Sequence, residues 1–271
     1  MVFLLIIISF LISLFGSIVG FGGGIFIVPI LMAFFGYSLE LAVSTTMFSL
    51  IPSALISTLL NRKAGNVDFK MGILLEIPTV IGVVLGSFLL TYIAPKNLEI
   101  VFSILVLGIG SSFFIKRKEA SSKLNFFERL NQLQPRYIIK NRKKHVAYRV
   151  SLQMVLFFGM LSGTLAGLFG MGGGFMKTPI MLKVFKIPPK IATATALFMI
   201  MITSITGSMS HYLQGHIVFE KTCPVIIGFT LGAIVGHKIS TTISSSLLEK
   251  LIGFALLLAS LIMLFNFFNH Y

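Results

Sequence analysis

Apolar residues run through this chain in long stretches, broken at intervals by glycine, proline or charged clusters. The stretches do not alternate: Val2–Phe15 is almost continuously apolar. Membrane β-barrel strands alternate between lipid-facing and lumen-facing residues, so the pattern points to helices. Spans near the length a bilayer requires are predicted over roughly 2–20, 40–60, 71–93 and 98–115, and again over 150–170, 190–212, 222–241 and 247–268. Two further apolar segments, 24–35 and 174–186, are too short to cross alone and predict half-helices or re-entrant pieces.

A glycine cluster precedes each short segment. Gly20-Phe21-Gly22-Gly23-Gly24 is followed by Pro29, and Gly170-Met171-Gly172-Gly173-Gly174 by Pro179, every member displaced by 150 residues. Without a gap, the same offset aligns Ala42–Phe48 with Ala192–Phe198, Gly65–Phe69 with Gly215–Phe219, Gly82 and Gly86 with Gly232 and Gly236, and Leu98-Glu99 with Leu248-Glu249. Register and loop glycines kept together indicate an internal repeat. The predicted fold is an all-α polytopic membrane protein of two pseudo-symmetric repeats, each with four long spans and one short half-helix. The predicted divisions are a first repeat over 1–115, a basic linker over 116–149 and a second repeat over 150–271.

Composition agrees. The 271 residues are 56% hydrophobic and 11% charged, with a mean hydropathy of +0.97, whereas soluble domains carry about 25% charged residues. The net charge of +14 is concentrated between Lys116 and Arg149, where eleven Lys/Arg face only Glu119 and Glu128. Such a loop is expected in the cytoplasm, and nucleic acid is not expected as a partner. Phe126, Phe127, Leu130, Leu133, Tyr137 and Ile138 interleave with its charges, which suggests a helix lying on the membrane surface. Met1-Val2-Phe3-Leu4 has no basic n-region, so residues 2–20 are expected to be a retained span rather than a cleaved leader. Cys223 is the sole cysteine, which excludes an intrachain disulfide or a cysteine metal cluster.

Topology depends on whether the short segment counts as a crossing. Four crossings per repeat make the repeats parallel; five make them inverted. In the inverted case Arg62, Lys63, Lys70, Lys183, Lys186, Lys190 and the linker all lie inside, the arrangement the positive-inside rule favours.

Glycines at membrane depth expose backbone, which is tolerated where it lines a cavity or is buried in protein. A glycine cluster that opens a helix also directs N–H groups and the positive end of the helix dipole toward one place. Gly20, Gly22, Gly23 and Gly24 with Gly170, Gly172, Gly173 and Gly174 are therefore expected to form two halves of one anion-binding site, the substrate held between the two half-helix N-termini and moved by alternating access. Hydroxyls that can donate to an oxyanion follow in the next span of each repeat: Thr45, Thr46 and Ser49, and Thr193 and Thr195. These can equally bond to their own helix carbonyls. Lys177 stands where the first repeat has Ile27, and is a candidate counter-charge or a snorkelling side chain. Glu76 and His237, ionisable and inside spans, are candidate proton-coupling groups. The four-residue glycine spacings Gly82/Gly86, Gly159/Gly163/Gly167 and Gly228/Gly232/Gly236 read instead as close helix contacts. No catalytic constellation, metal site or cofactor motif is present, and no enzyme activity is expected.

The doubled Gly-Phe/Met-Gly-Gly-Gly…Pro motif, the Ala-x-x-Thr stretches at Ala42 and Ala192, and the Gly65-Asn66-Val67-Asp68 loop resemble the TauE/SafE sulfite-exporter family of membrane transporters. The resemblance covers about residues 5–265. It implies transport of sulfite, sulfonates or related organosulfur anions across a bacterial inner membrane. The expected partners are a small anion, the bilayer and protons as coupling ion, with a homodimer open. Two other readings stay open: a non-transporting scaffold or assembly protein acting through the basic loop, and a passive anion channel.

Overall fold

The structure, a computed structural model, describes residues 1–90, 92, 95–114, 133–141 and 146–270. Among the described residues, five helices form the first half: α1 (Val2–Val19), α2 (Gly24–Phe35), α3 (Leu39–Lys63), α4 (Phe69–Leu89) and α5 (Pro95–Ser111). A hairpin of β1 (Arg136–Asn141) and β2 (Val146–Ser151) precedes five more: α6 (Leu152–Phe169), α7 (Gly174–Lys183), α8 (Pro189–Leu213), α9 (Phe219–Thr242) and α10 (Ser245–His270). Among the described residues, seven helices are long and apolar enough to cross a membrane: α1, α3, α4, α6, α8, α9 and α10. The short pieces α2 and α7 have 12 and 10 residues.

The ends of these helices follow from local chemistry. Ser38 and Asp68 cap α3 and α4, accepting hydrogen bonds from Leu41 N and Met71 N, which satisfies first-turn donors that have no intrahelical acceptor. Helices α1 and α6 stop at Gly20 and Gly170, and α2 and α7 start from Gly23 and Gly173, all four with positive φ. Glycine alone adopts that conformation without steric cost.

The two halves interlock. Helix α1 packs along α9, and α6 packs along α4, so each half's first helix lies on the other half's fourth. Glycine lets these backbones approach: a Cβ at Gly82 would stand 2.4 Å from Met160 O, and one at Gly232 would stand 2.3 Å from Phe10 O. Met160 and Phe10 are themselves 150 residues apart, so the repeat extends to the contacts. Helices α3 and α8 occupy the middle and are the most buried of the spans. Ser44 Oγ, near the start of α3, donates to His216 O beyond the end of α8 (2.7 Å). Asp68 N, beyond the end of α3, donates to Thr195 Oγ1 near the start of α8 (3.0 Å). These two helices therefore run antiparallel.

The described part of the linker departs from expectation at Tyr137 and Ile138. Residues 115–132, which hold Phe126, Phe127 and Leu130, lie outside the described residues, and Tyr137 and Ile138 belong to a strand rather than a surface helix. The strands explain themselves by alternation: Tyr148 and Val150 face inward while Ala147 and Arg149 face out, the period of two that a half-buried strand requires. Tyr148 Oη donates to Asp68 Oδ2, so the hairpin docks on the residue that caps α4. Burial, with the adjoining carboxylate of Asp68, pushes the Tyr148 phenol above its ordinary value.

Candidate functional site

The two glycine clusters meet. A Cβ at Gly24 would stand 2.7 Å from Met171 Cα, and one at Gly174 would stand 2.8 Å from Gly20 O and 2.9 Å from Phe21 Cα. Thr178 Oγ1 on α7 donates to Gly20 O (3.2 Å), tying the second cluster to the first. Leu50 and Ile200, near the middles of α3 and α8, both pack on Gly22 and on Gly172. The junction therefore lies level with the centres of the two central helices. Each cluster also touches the other half's central helix, Gly20 against Thr193 and Gly170 against Val43. Two helices thus begin at one place, and each brings its partly positive end and first-turn N–H groups to it.

Lys177, in the first turn of α7, is fully buried. Its stem runs beside the second cluster: a Cβ at Gly173 would stand 3.2 Å from Lys177 Cε. Its Nζ donates to Glu76 Oε2 on α4 (2.7 Å) and to Thr203 Oγ1 on α8, and Thr203 Oγ1 donates to Glu76 Oε1. The three side chains form a closed ring between α4, α7 and α8, with Glu76 only 2% exposed. Low-dielectric surroundings strengthen each of these bonds and make any member left alone expensive. Sequence reasoning selected Lys177 and Glu76 separately and did not pair them, since 101 positions separate them. One signal was present: at the 150-residue offset both replace isoleucines, Ile27 and Ile226.

The other proposed residues are placed differently. Thr45 Oγ1 shares a 3.2 Å hydrogen bond with Thr222 Oγ1 on α9, while Thr195 Oγ1 accepts from Asp68 N. Thr46, Ser49 and Thr193 donate to carbonyls of their own helices, Ala42 O, Thr45 O and Pro189 O. His237 lies on α9, in the α1–α9 pair, whereas Glu76 lies in the α4–α6 pair. A polar group that sequence reasoning passed over is Ser13, whose Oγ donates to Phe229 O (2.7 Å) and shares a 3.3 Å bond with Ser53 Oγ. Among the described residues no cluster of three or more His, Cys, Asp or Glu could hold a metal ion.

A family model described as "Sulfite exporter TauE/SafE" matches residues 5–269. The chain is 28% identical over 249 residues to the probable membrane transporter protein YunE of Bacillus subtilis, covering 88% of this chain and 89% of that one. It is 27% identical over 269 residues to a probable membrane transporter protein of Methanocaldococcus jannaschii, covering 92% of each. It is also similar to sulfite exporter TauE/SafE family protein 3 of Arabidopsis thaliana, 28% identical over 115 residues, which are 42% of this chain and 24% of the plant protein. No solved structure matches the chain.

Proposed function

The chain belongs to the sulfite exporter TauE/SafE family and is a multi-pass membrane transporter, and from that premise we propose that it is a secondary transporter of small anions, sulfite or sulfonates foremost, in the plasma membrane. The observation that carries the reading is the head-to-head meeting of two glycine-opened half-helices at the centre of the molecule. Each helix start carries roughly half a positive charge, and two such ends in contact repel. An anion between them relieves that repulsion and accepts from first-turn N–H groups, the device used where transporter helices are broken at mid-membrane. The loops touch in this conformation, so substrate passage requires them to part, as alternating access demands. Protons are the proposed coupling ion, with Glu76 and His237 as candidates.

The same reading takes the repeats as inverted. Equivalent helices α3 and α8 run antiparallel, which supports this. So does the shared end of α5, α7 and the α3–α4 loop: Lys183 Nζ donates to Ser112 O (3.1 Å), and Tyr148 of the basic linker reaches Asp68. That end gathers Arg62, Lys63, Lys70, Lys183, Lys186 and Lys190 and becomes the cytoplasmic one.

Proteoliposome uptake tests the site. Gly23→Leu and Gly173→Leu are expected to abolish sulfite uptake while the protein remains monodisperse in detergent. Gly36→Leu serves as control, since Gly36 also has positive φ (66) but nothing within 4 Å of an added Cβ. Normal uptake by both cluster variants removes the glycine junction from the mechanism. Deletion of 120–145 separates a transporter core, which still moves substrate, from a scaffold working through the linker.

A further inference from the structure

We propose that the Glu76 carboxylate is a built-in stand-in for the transported anion. The substrate's oxyanion takes its place on Lys177 Nζ and Thr203 Oγ1 once Glu76 has accepted a proton, so that each anion binds together with one proton. This rests on the anion-transport reading above and names its subsite.

The geometry carries the substitution. Glu76 presents two oxygens on one centre to two donors, Lys177 Nζ and Thr203 Oγ1. A sulfonate or sulfite offers the same arrangement of adjacent oxygens. The donors stand at the glycine junction, because the Lys177 stem lies against Gly173 in the first turn of α7.

Charge then dictates the coupling. Lys177 is buried and requires a negative partner. If an anion arrived while Glu76 stayed ionised, two negative groups would share one lysine with no further cation among the described residues at that level. Helix α6 has no ionisable residue. On α4 the other cation is Lys70, at its first turn. On α7 it is Lys183, which reaches Ser112 O. Helix α8 has Lys190 at one end, bonded to Thr241 O, and His211 beside His216 with Tyr212 at the other. A proton from water onto Glu76 removes the excess negative charge, and the neutral carboxyl yields its place on Lys177.

At the 150-residue offset the three ring residues correspond to Ile27, Ile226 and Ser53, so the repeat pairs both charged residues with apolar ones and Thr203 with a serine. The charged version is an addition on one side.

The test uses methanesulfonate, whose charge is fixed across the working pH range, with purified full-length protein in detergent. Wild type is expected to bind it more tightly as pH falls, by about tenfold per unit where one proton accompanies one anion, and to take up one proton per anion in weakly buffered dye solution. Glu76→Gln is expected to bind with no such pH dependence, and Glu76→Gln/Lys177→Met to lose binding. Wild-type binding with no pH slope and no proton uptake overturns the proposal and leaves anion transport standing. Binding retained by the double variant overturns the Lys177 subsite. Failure of wild type to bind methanesulfonate or sulfite at any pH overturns the anion reading itself. The wild-type proton uptake decides the matter even if a variant does not fold.

Discussion

On the α7 side of the glycine junction, Lys177, Glu76 and Thr203 close a buried ring of hydrogen bonds. On the α2 side, the residues at the same repeat positions are Ile27, Ile226 and Ser53, and the nearby polar contact is a neutral one between Ser13 and Ser53. Backbone and packing are common to both sides: Gly20 and Gly170 meet Thr193 and Val43, and Gly82 and Gly232 meet equivalent carbonyls. Duplicated architecture thus supplies the scaffold twice, and charge is placed on it once. The difference teaches that the glycines recur on both sides while the charged ring stands on one. The charge therefore invites a functional explanation.

The largest effect is expected from making the charged side half neutral. Lys177→Ile leaves Glu76 buried without its partner and costs about 3–5 kcal/mol, read as a lowered melting temperature in detergent, with uptake lost. Glu76→Ile/Lys177→Ile, which copies the other half, is expected to recover most of that stability without recovering uptake. Recovery of both would mean the ring only holds helices together.

Next come the hydroxyls. Thr203→Val removes a bond to a carboxylate and one from an ammonium, and is expected to cost about 1.5–3 kcal/mol, whereas Ser53→Ala removes a neutral bond and costs about 0.5–1.5 kcal/mol. Equal losses in chemical denaturation would erase the distinction between the two sides.

The glycines should behave alike in both halves. Gly24→Ala and Gly174→Ala each press a methyl group on the opposite backbone and are expected to destabilise by about 1–3 kcal/mol, with uptake impaired in both. An effect confined to one variant would contradict the shared scaffold.

The smallest effect concerns the loops, where Asp68 faces Val218 at the repeat offset. Only Asp68 receives Tyr148 from the hairpin. Tyr148→Phe removes one bond to a carboxylate and is expected to cost about 1.5 kcal/mol and to raise hydrogen exchange in the hairpin. Because the folded state holds the Tyr148 phenol above its ordinary value, through burial first and Asp68 second, its contribution is complete below about pH 10. It is lost as pH rises beyond that, and Tyr148→Phe removes this alkaline loss.

The sequence by itself determined seven of the eight predicted spans, the two short helices, the 150-residue offset and the glycine breaks, while the span expected over 98–115 corresponds to α5 with only 17 residues. Each is a property of neighbouring residues: apolar length sets spans, and glycine tolerance of positive φ sets where α1, α2, α6 and α7 end and begin. Basic composition misled at Tyr137 and Ile138, because the interleaving of charged and apolar residues suits a surface helix as well as a strand, and pairing with 146–151 decided between them. Tertiary structure alone decided how closely the two glycine clusters approach each other and that Lys177 meets Glu76. Those facts depend on which helices pack together across about a hundred intervening residues, and a charge in a sequence does not say which opposite charge will share its low-dielectric surroundings.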